Sequence, residues 1–460
     1  MKQCVIVGRE LTYSGKTVSI DELYNEDFNR YSDAHATEYY NETYLVNELF
    51  QYKIRDYLAV KFFITKNEID FVDARKASTD IKYYVKHIAE EEDTRYSSGS
   101  LFLASIKSNI LFYLIQLLTF FYLAYLMLRI PKKKESFGGK SAFSILRSKA
   151  GTQKMRNFSF INKEKEDIKD RSSIYRLFGK GERLSWTFKA YCNSFKSIRE
   201  IKAAYTLKLG NYFIYSIKDY YRGRIVHTEF FNLLIKKYFP HYAGGEYYTA
   251  NNLDRFSVLE ERVAKENNIK TYNIPHGIEY GFKFPKGFSC DVFYAYTEYS
   301  SQYLNTLYET NKYVFDQGII ENMLKLDSSN KPHSQYVIFF TEPREINVNI
   351  EIISSLKKMM DIEGWTLYLK LHPTDKKSNY DYLGCPYITD YTVSLTGNIC
   401  ISRKSTILLE AIYNGSIPIA IITNDKDASI FKTFPSLNSE KIIKKYNIED
   451  LFNTIKELKQ

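Results

Sequence analysis

The sequence predicts an α/β protein of two domains, and three observations predict it. The chain has 460 residues, more than one compact core holds. Its later part alternates short β-rich runs with helical-period stretches, the order of a parallel sheet covered by helices. The runs are continuously apolar rather than alternating, so both faces of each strand are buried.

The first 100 residues carry the strand-like runs CVIVG, YLAVKFFI and IDFVD between polar helical stretches. Residues 110–128 read ILFYLIQLLTFFYLAYLML, broken only by Gln116 and Thr119, and this run is long enough to cross a bilayer. Arg129, Lys132, Lys133 and Lys134 follow at once, then Lys140, Arg147 and Lys149. Such a flank is cytoplasmic by the positive-inside rule. Three readings stay open. The run is an interfacial or re-entrant helix with a polybasic anchor, a buried core helix, or a true span. A span would place residues 1–105 outside the cell, away from the rest of the fold. The basic flank favours the first reading, because a core helix has no use for it. Residues 131–185 are basic and weakly patterned, and they read as a loop on a membrane or acceptor surface, or as a solvated linker.

From about residue 195 the α/β pattern returns. FFNLLIKKYF is helical, YYTA a strand, SVLEERVAKENN a helix and TYNIP a strand that runs into His276 and Gly277. DVFYAY and EYSSQYLNTLYE add a strand and a helix. These place an N-terminal domain at 1–325. A C-terminal domain, 334–460, follows in clear order: YVIFF strand, INVNIEIISSLKKMM helix, TLYLKL and NICIS strands, TILLEAIYN helix, IPIAII strand and the closing helix IEDLFNTIKELKQ.

Composition bounds the function loosely. The net charge of +10 points to anionic partners without choosing among nucleic acid, lipid headgroups and sugar phosphates. Five scattered cysteines with no CxxC argue for a reducing compartment and against disulfides or structural zinc. The 41 tyrosines and 31 phenylalanines suit sugar and interface contacts, although codon bias explains them as well. The apolar part of MKQCVIVGRE is too short for a signal peptide. Walker A, GxGxxG and GxSxG patterns are missing, which weighs against kinase, dinucleotide oxidoreductase and α/β-hydrolase readings.

In an open α/β sheet, ligands bind beyond the carboxyl ends of the strands. Three such ends in the C-terminal domain carry suggestive residues. YVIFF leads into Thr341, Glu342, Pro343 and Arg344. TLYLKL leads into His372, Pro373 and Thr374. NICIS leads into Ser402, Arg403, Lys404, Ser405 and Thr406. Ser402 near a helix N-cap, with Ser405 and Thr406 in the first turn and two cations beside them, would form a phosphate cradle without a glycine-rich loop. An ordinary N-cap is the plainer alternative. His372, fixed by the following proline, can hydrogen-bond or protonate a leaving phosphate, or simply sit satisfied at a sheet edge. Glu410, in the helix after Thr406, can hold ribose hydroxyls or be a surface charge. His276, Glu246 and Asp254 are the candidate bases for an acceptor hydroxyl. Asp425-Lys426-Asp427 is a literal DxD but reads as a solvated loop, so no metal site is expected.

With those residues in view, the stretch from about Tyr247 to Asn424 resembles bacterial glycosyltransferases of the GT-B fold that build capsule, O-antigen and lipooligosaccharide. ERVAKENNIKTYNIPHG looks like the family's helix, strand, HG unit. YLKLHP looks like the HP motif of bacterial sialyltransferases, and ISRKSTILLEAIYNGSIPIAI like their Ser/Thr motif. The resemblance implies two Rossmann-like domains facing a central cleft, with the acceptor on the N-terminal domain and the donor nucleotide on the C-terminal one. It implies that His372 sits at the donor phosphate, with Ser405 and Thr406 as phosphate-binding hydroxyls. It most favours a CMP-linked nonulosonic acid or Kdo-type donor. A polyol-phosphate transferase using CDP-glycerol or CDP-ribitol is the alternative, because that group shares both histidines. The acidic pair before glycine that supplies the sialyltransferase base is missing, which leaves the base divided between His276 and Glu246.

The expected protein is therefore a metal-independent, nucleotide-sugar-dependent glycosyltransferase with no further cofactor. Its expected partners are a nucleotide sugar, a glycan or lipid-linked glycan acceptor and the inner-membrane surface, at whose cytoplasmic face it is peripheral. Nucleic acid is not expected, since the basic residues cluster beside an apolar helix rather than around an aromatic reading face. A non-catalytic membrane scaffold of a polysaccharide assembly complex is the alternative of another class.

Overall fold

Three β-sheets organise the computed structural model, which describes residues 2–133, 141–156, 166–275, 279–326, 335–342 and 345–460. Contacts divide the chain into two units. One comprises Met1–Thr152, Asn162–Ile274 and Phe282–Phe293, the other Gln153–Ile161, Pro275–Gly281 and Tyr294–Gln460.

The first unit holds two sheets. In the first sheet, β1 (Gln3–Gly8), β2 (Glu10–Tyr13) and β3 (Lys16–Ser19) form an antiparallel meander, and β4 (Phe71–Ala77) and β5 (Arg95–Ser97) extend it parallel to β1. The run YLAVKFFI is not a strand. It lies in the helix Arg55–Lys66, which continues a shorter helical stretch from Val46. A short apolar run buried on most sides has no period that separates helix from strand.

The second sheet is parallel and contains β6 (Ala142–Leu146), β7 (Glu166–Asp170), β8 (Glu246–Thr249), β9 (Lys270–Asn273) and β10 (Val292–Tyr294). Its order in this unit is β10-β9-β8-β6-β7. β6 overturns the expected loop at 131–185. All five of its residues are buried, and Phe143 stacks on Tyr242 with ring centroids 4.1 Å apart. The basic surroundings of AFSIL hide a central strand from any composition average.

Arg147, the first residue after β6, is buried and answers two carboxylates. Its guanidinium donates to Asp254 at 2.8 and 3.2 Å, and its Nε lies 2.8 Å from Glu260. Asp254 caps the helix Arg255–Glu266 through the Ser257 N–H. Burial raises the Asp254 carboxyl, but the Arg147 charge and the hydrogen bonds outweigh it and hold it at about 2. Burial dominates at Glu260 and pushes it up to about 7.

The helix Phe102–Arg129 is, among the described residues, the one long and apolar enough to cross a membrane. The core-helix reading does not hold, because only 22% of its most apolar window is buried. Its inward stripe is Ser105, Ser108, Phe112, Gln116, Leu123 and Met127. Its outward face shows Leu103, Leu118 and Phe121 at 70%, 57% and 60% exposure. The helix Lys180–Leu209 runs alongside in the opposite sense, with Arg183 donating to the Ile130 carbonyl, Tyr191 against Phe120, and Phe195 against Tyr113. Gly223, at φ +70°, lets the turn before the helix Arg224–Tyr238 approach Thr119, where a Cβ would lie 2.8 Å from the hydroxyl.

The second unit carries a short strand, β11 (Tyr313–Val314), and a parallel sheet of β12 (Val337–Phe340), β13 (Leu367–Lys370), β14 (Ile399–Ser402), β15 (Ile417–Ile421) and β16 (Ile443–Lys445). The sheet order is β13-β12-β14-β15-β16. VIFF and ICIS are buried at every residue, and the helices Ile346–Ile362 and Ile448–Lys459 supply Ile353, Leu356, Leu451 and Ile455 to the core. These parallel sheets flanked by helices are compatible with Rossmann-like domains.

Two predictions follow from Arg147. Arg147→Met, which leaves two carboxylates without their cation, should lower stability by about 3 kcal/mol in a urea titration. The folded Asp254 value lies below its unfolded value of about 3.9, so the stability it contributes is complete above that pH and lost as pH falls toward about 2. Acid unfolding followed by circular dichroism should therefore be shallower over that window in Asp254→Asn than in the parent.

Candidate functional site

In the second unit the chain leaves β12 for β13 on one side and returns to β14 on the other. The carboxyl ends of β12 and β14 therefore form a topological switch point, where a crevice opens in folds of this type. Glu342 and Glu345 meet residues 403–404 there, and His372 stands beyond the neighbouring strand β13.

Arg403 is the centre of this region. It is completely buried and grips Asp427 with two parallel bonds, Nε at 2.7 Å and Nη2 at 2.9 Å. Nη2 also donates to Glu345 at 2.6 Å. Lys404 Nζ reaches the same two carboxylates at 2.9 and 2.8 Å. Both cations are thus neutralised within the protein, so the expected role for them beside a phosphate is not what the geometry gives. Asp427 is correspondingly not in a solvated loop. It lies in the helix Asp425–Thr433, fully buried, with Asn424 Oδ1 receiving its backbone N–H. A carboxylate engaged by Arg403, Lys404 and Asn424 has little left for a metal. No group of three potential metal ligands occurs among the described residues.

The two loops are tied directly. The Glu342 carboxylate accepts the Lys404 N–H at 2.7 Å, and burial raises it against the pull of Lys404. Asn349 donates to the Glu342 carbonyl and to Tyr380 Oη, and Tyr380 in turn donates to Asp375. Thr341 Oγ1 accepts the His372 N–H at 3.0 Å and so links the β12 and β13 ends.

His372 is exposed, and its Nδ1 receives the Thr374 N–H at 3.2 Å. That bond requires a lone pair on Nδ1, so the ring proton sits on Nε2. Nε2 has no protein partner among the described residues. Burial lowers the ring's pKa, with Asp375 opposing, and this favours the neutral form. The next residue, Pro373, lies in the exposed turn.

Ser402 ends β14 and is fully buried, with its hydroxyl toward the Phe340 carbonyl. It is no N-cap. The helix begins only at Ile407, where Ser405 Oγ accepts the Ile407 N–H at 3.3 Å. Ser405 and Thr406 keep half-exposed side chains at this end. Glu410 is buried and spoken for: Lys154 Nζ lies 3.0 Å from one oxygen, and the Tyr391 hydroxyl donates to the other. Pro343, Arg344 and His276 lie outside the described residues.

Glu246 is the first residue of β8, at the amino end of the first unit's parallel sheet. Tyr248 and Tyr272 donate to its two oxygens at 2.7 and 3.3 Å. Position and partners both remove it from the end where sites form. Asp254 caps its helix and pairs with Arg147 as described above, and a carboxyl held at about 2 makes a weak base at neutral pH.

Glu279, three residues beyond His276, was not singled out by the sequence reading. It is fully buried, and it accepts the Tyr296 N–H at 2.8 Å and the hydroxyls of Ser300 and Ser436. Two residues on, the Gly281 N–H donates to the Thr433 carbonyl at 2.6 Å, and a Cβ there would stand 2.1 Å from that oxygen. Glu279 and Gly281 of IPHGIEYG are thus pinned to 433–436. The motif's glutamate and second glycine were its only signal.

No family model matches the chain, and no curated protein sequence matches it. Among solved structures it is similar to S. aureus MnaA in its co-structure with UDP, at 11% identity and a TM-score of 0.39. The similarity covers 69% of this chain and 87% of that one. A likeness this distant leaves the site to be read from its own residues.

Asp427→Asn removes one charge from a fully buried pair and should cost about 3 kcal/mol by chemical denaturation. Arg403→Lys should be destabilised as well, since an ammonium cannot make the two parallel bonds. Equal stability of both variants and the parent would show the clamp to be dispensable.

Proposed function

We propose that this chain is a nucleotide-sugar-using enzyme, a metal-independent glycosyltransferase of the GT-B kind. The single observation that carries the reading is His372 at the β13 end, next to the switch point. Its Nδ1 is fixed by its own turn, and its Nε2–H has no protein acceptor among the described residues. A neutral imidazole so held is a hydrogen-bond donor for a phosphate oxygen that gains charge as the sugar–phosphate bond breaks. The half-exposed hydroxyls of Ser405 and Thr406, at the end of the adjoining loop, are the next donors. Arg403, Asp427, Glu345 and Glu342 are positioning residues in this reading: they fix the loops and touch no substrate.

The donor in this proposal is a cytidine nucleotide, by preference a CMP-linked nonulosonic acid, and the acceptor is a glycan of a surface polysaccharide. His276 is the base that takes the acceptor hydroxyl's proton. Glu246, tied by two tyrosines, is set aside. The enzyme works as a peripheral protein at the cytoplasmic face of the inner membrane, a reading supported by the exposed apolar face of Phe102–Arg129.

His372→Ala should leave the thermal melt unchanged, because the ring is exposed, and lower transfer by about 10²-fold or more. Near-normal turnover in this variant sinks the assignment. Thermal shift with CMP, CDP, UDP and GDP should single out CMP. A preference for CDP would redirect the reading to polyol-phosphate transfer, and failure to bind any nucleotide would favour a scaffold.

A further inference from the structure

The helix Phe102–Arg129 turns most of its apolar surface outward. Its buried stripe mixes Ser105, Ser108 and Gln116 with Phe112, Leu123 and Met127, while Leu103, Leu118, Phe121 and Tyr122 face outward. Of the three polar residues only Ser108, among the described contacts, reaches beyond the helix, donating to Asp219 at 2.9 Å. Water gives no reason for this arrangement, and hydrocarbon does. The helix Lys180–Leu209 braces it along most of its length and exposes Lys189, Lys196, Arg199 and Lys202. A membrane-crossing pose would drag those charges into the bilayer, whereas an in-plane pose leaves them at headgroup level.

Beside this face an open pocket of about 360 Å³ lies where three helices meet. Phe112 and Tyr113 come from the apolar helix, Phe195, Ile198, Arg199 and Lys202 from Lys180–Leu209, and Ile214 and Lys218 from Phe213–Tyr221. Its lining has three cations and no carboxylate. Among the described residues, Arg199 and Lys202 form no ion pair, and Lys218 Nζ donates only to Asn109 Oδ1, at 2.6 Å, while lying over the rings of Phe112, Tyr113 and Tyr215. Burial, and then the charge of Lys202, lower the Lys218 ammonium's pKa. Three cations with no carboxylate beside them, around one apolar-floored pocket, make a positively charged recess that suits an anion from outside.

We propose that this pocket binds the phosphate group of an anionic membrane lipid, whose hydrocarbon chain lies over Phe112 and Tyr113 and along the exposed face of Phe102–Arg129. The inference rests on the membrane-surface part of the proposed function and is independent of the nucleotide site. It makes the apolar helix a lipid-reading element as well as an anchor.

The test is flotation of the full chain with phosphatidylcholine vesicles, with and without phosphatidic acid, for the parent and for Arg199→Gln/Lys202→Gln/Lys218→Gln. The parent should prefer the anionic vesicles. The triple variant should lose that preference, with affinity falling on the order of 100-fold, and keep its weak partition into neutral vesicles. Lys236→Gln/Lys237→Gln/Lys265→Gln, which removes the same charge from exposed lysines elsewhere, should keep the preference; an equal loss there reduces the effect to net charge and overturns the proposal. Equal binding of the parent to both vesicles overturns it as well. Glycerol phosphate in solution supplies the headgroup without the chain, and it should compete only weakly; competition as strong as the lipid's removes the hydrocarbon half of the site. Thermal shift with CMP on the same triple variant should match the parent. A loss of lipid preference with nucleotide binding intact, or the reverse, separates this inference from the reading of the second unit.

Discussion

The buried guanidinium of Arg403 is the constraint on which the second unit's site depends. A charge with no exposure to water survives only if partners answer it on every side. Asp427 answers from the helix after β15 and Glu345 from the loop after β12, while Arg403 itself follows β14. Three connections that are distant in sequence are thereby fixed at one end of the sheet. The clamp also decides which groups remain for a ligand. It uses up the conspicuous cations of SRKST and leaves a neutral histidine and two hydroxyls.

The first unit repeats the device. Arg147 stands one residue past β6 as Arg403 stands one residue past β14, and each is held by two carboxylates. In both, an arginine fork at the carboxyl end of a buried strand orders the loops where α/β sheets place their ligands. The first unit adds a helix that, among the described residues, leaves much of its apolar surface exposed while Ser105, Ser108 and Gln116 lie on its buried side. The basic pocket lies beside that surface.

Much of the α/β frame was legible. Fully buried strands such as VIFF, ICIS and IPIAI declare themselves as apolar runs, and the helices between them as periodic ones. Two elements escaped for opposite reasons. YLAVKFFI is buried on most sides and has lost the period that would mark its helix. AFSIL is a true strand whose neighbours are so basic that the region reads as loop. Residues at the site divide in the same way. His372, Ser405 and Thr406 stood out as candidates because they lie just past strand ends. Asp427 was misread because a charged DxD looks solvated when its partner, Arg403, is 24 residues away in sequence. Glu279 gave no signal beyond lying in a short motif.

By itself the sequence determined the parallel sheets, the strand ends where chemistry collects, and a long apolar helix followed by bases. Those properties are local: burial writes periodicity into the chain, and strand ends follow from it. Only the tertiary structure decided which charges are answered and which are not. Ion pairing depends on distance in space, so Arg403 and Lys404 became internal supports, Glu246 fell at the amino end of its sheet, and Arg199, Lys202 and Lys218 were gathered around one pocket. The same geometry turned the apolar helix outward, since nothing in its own sequence says which side the protein will cover.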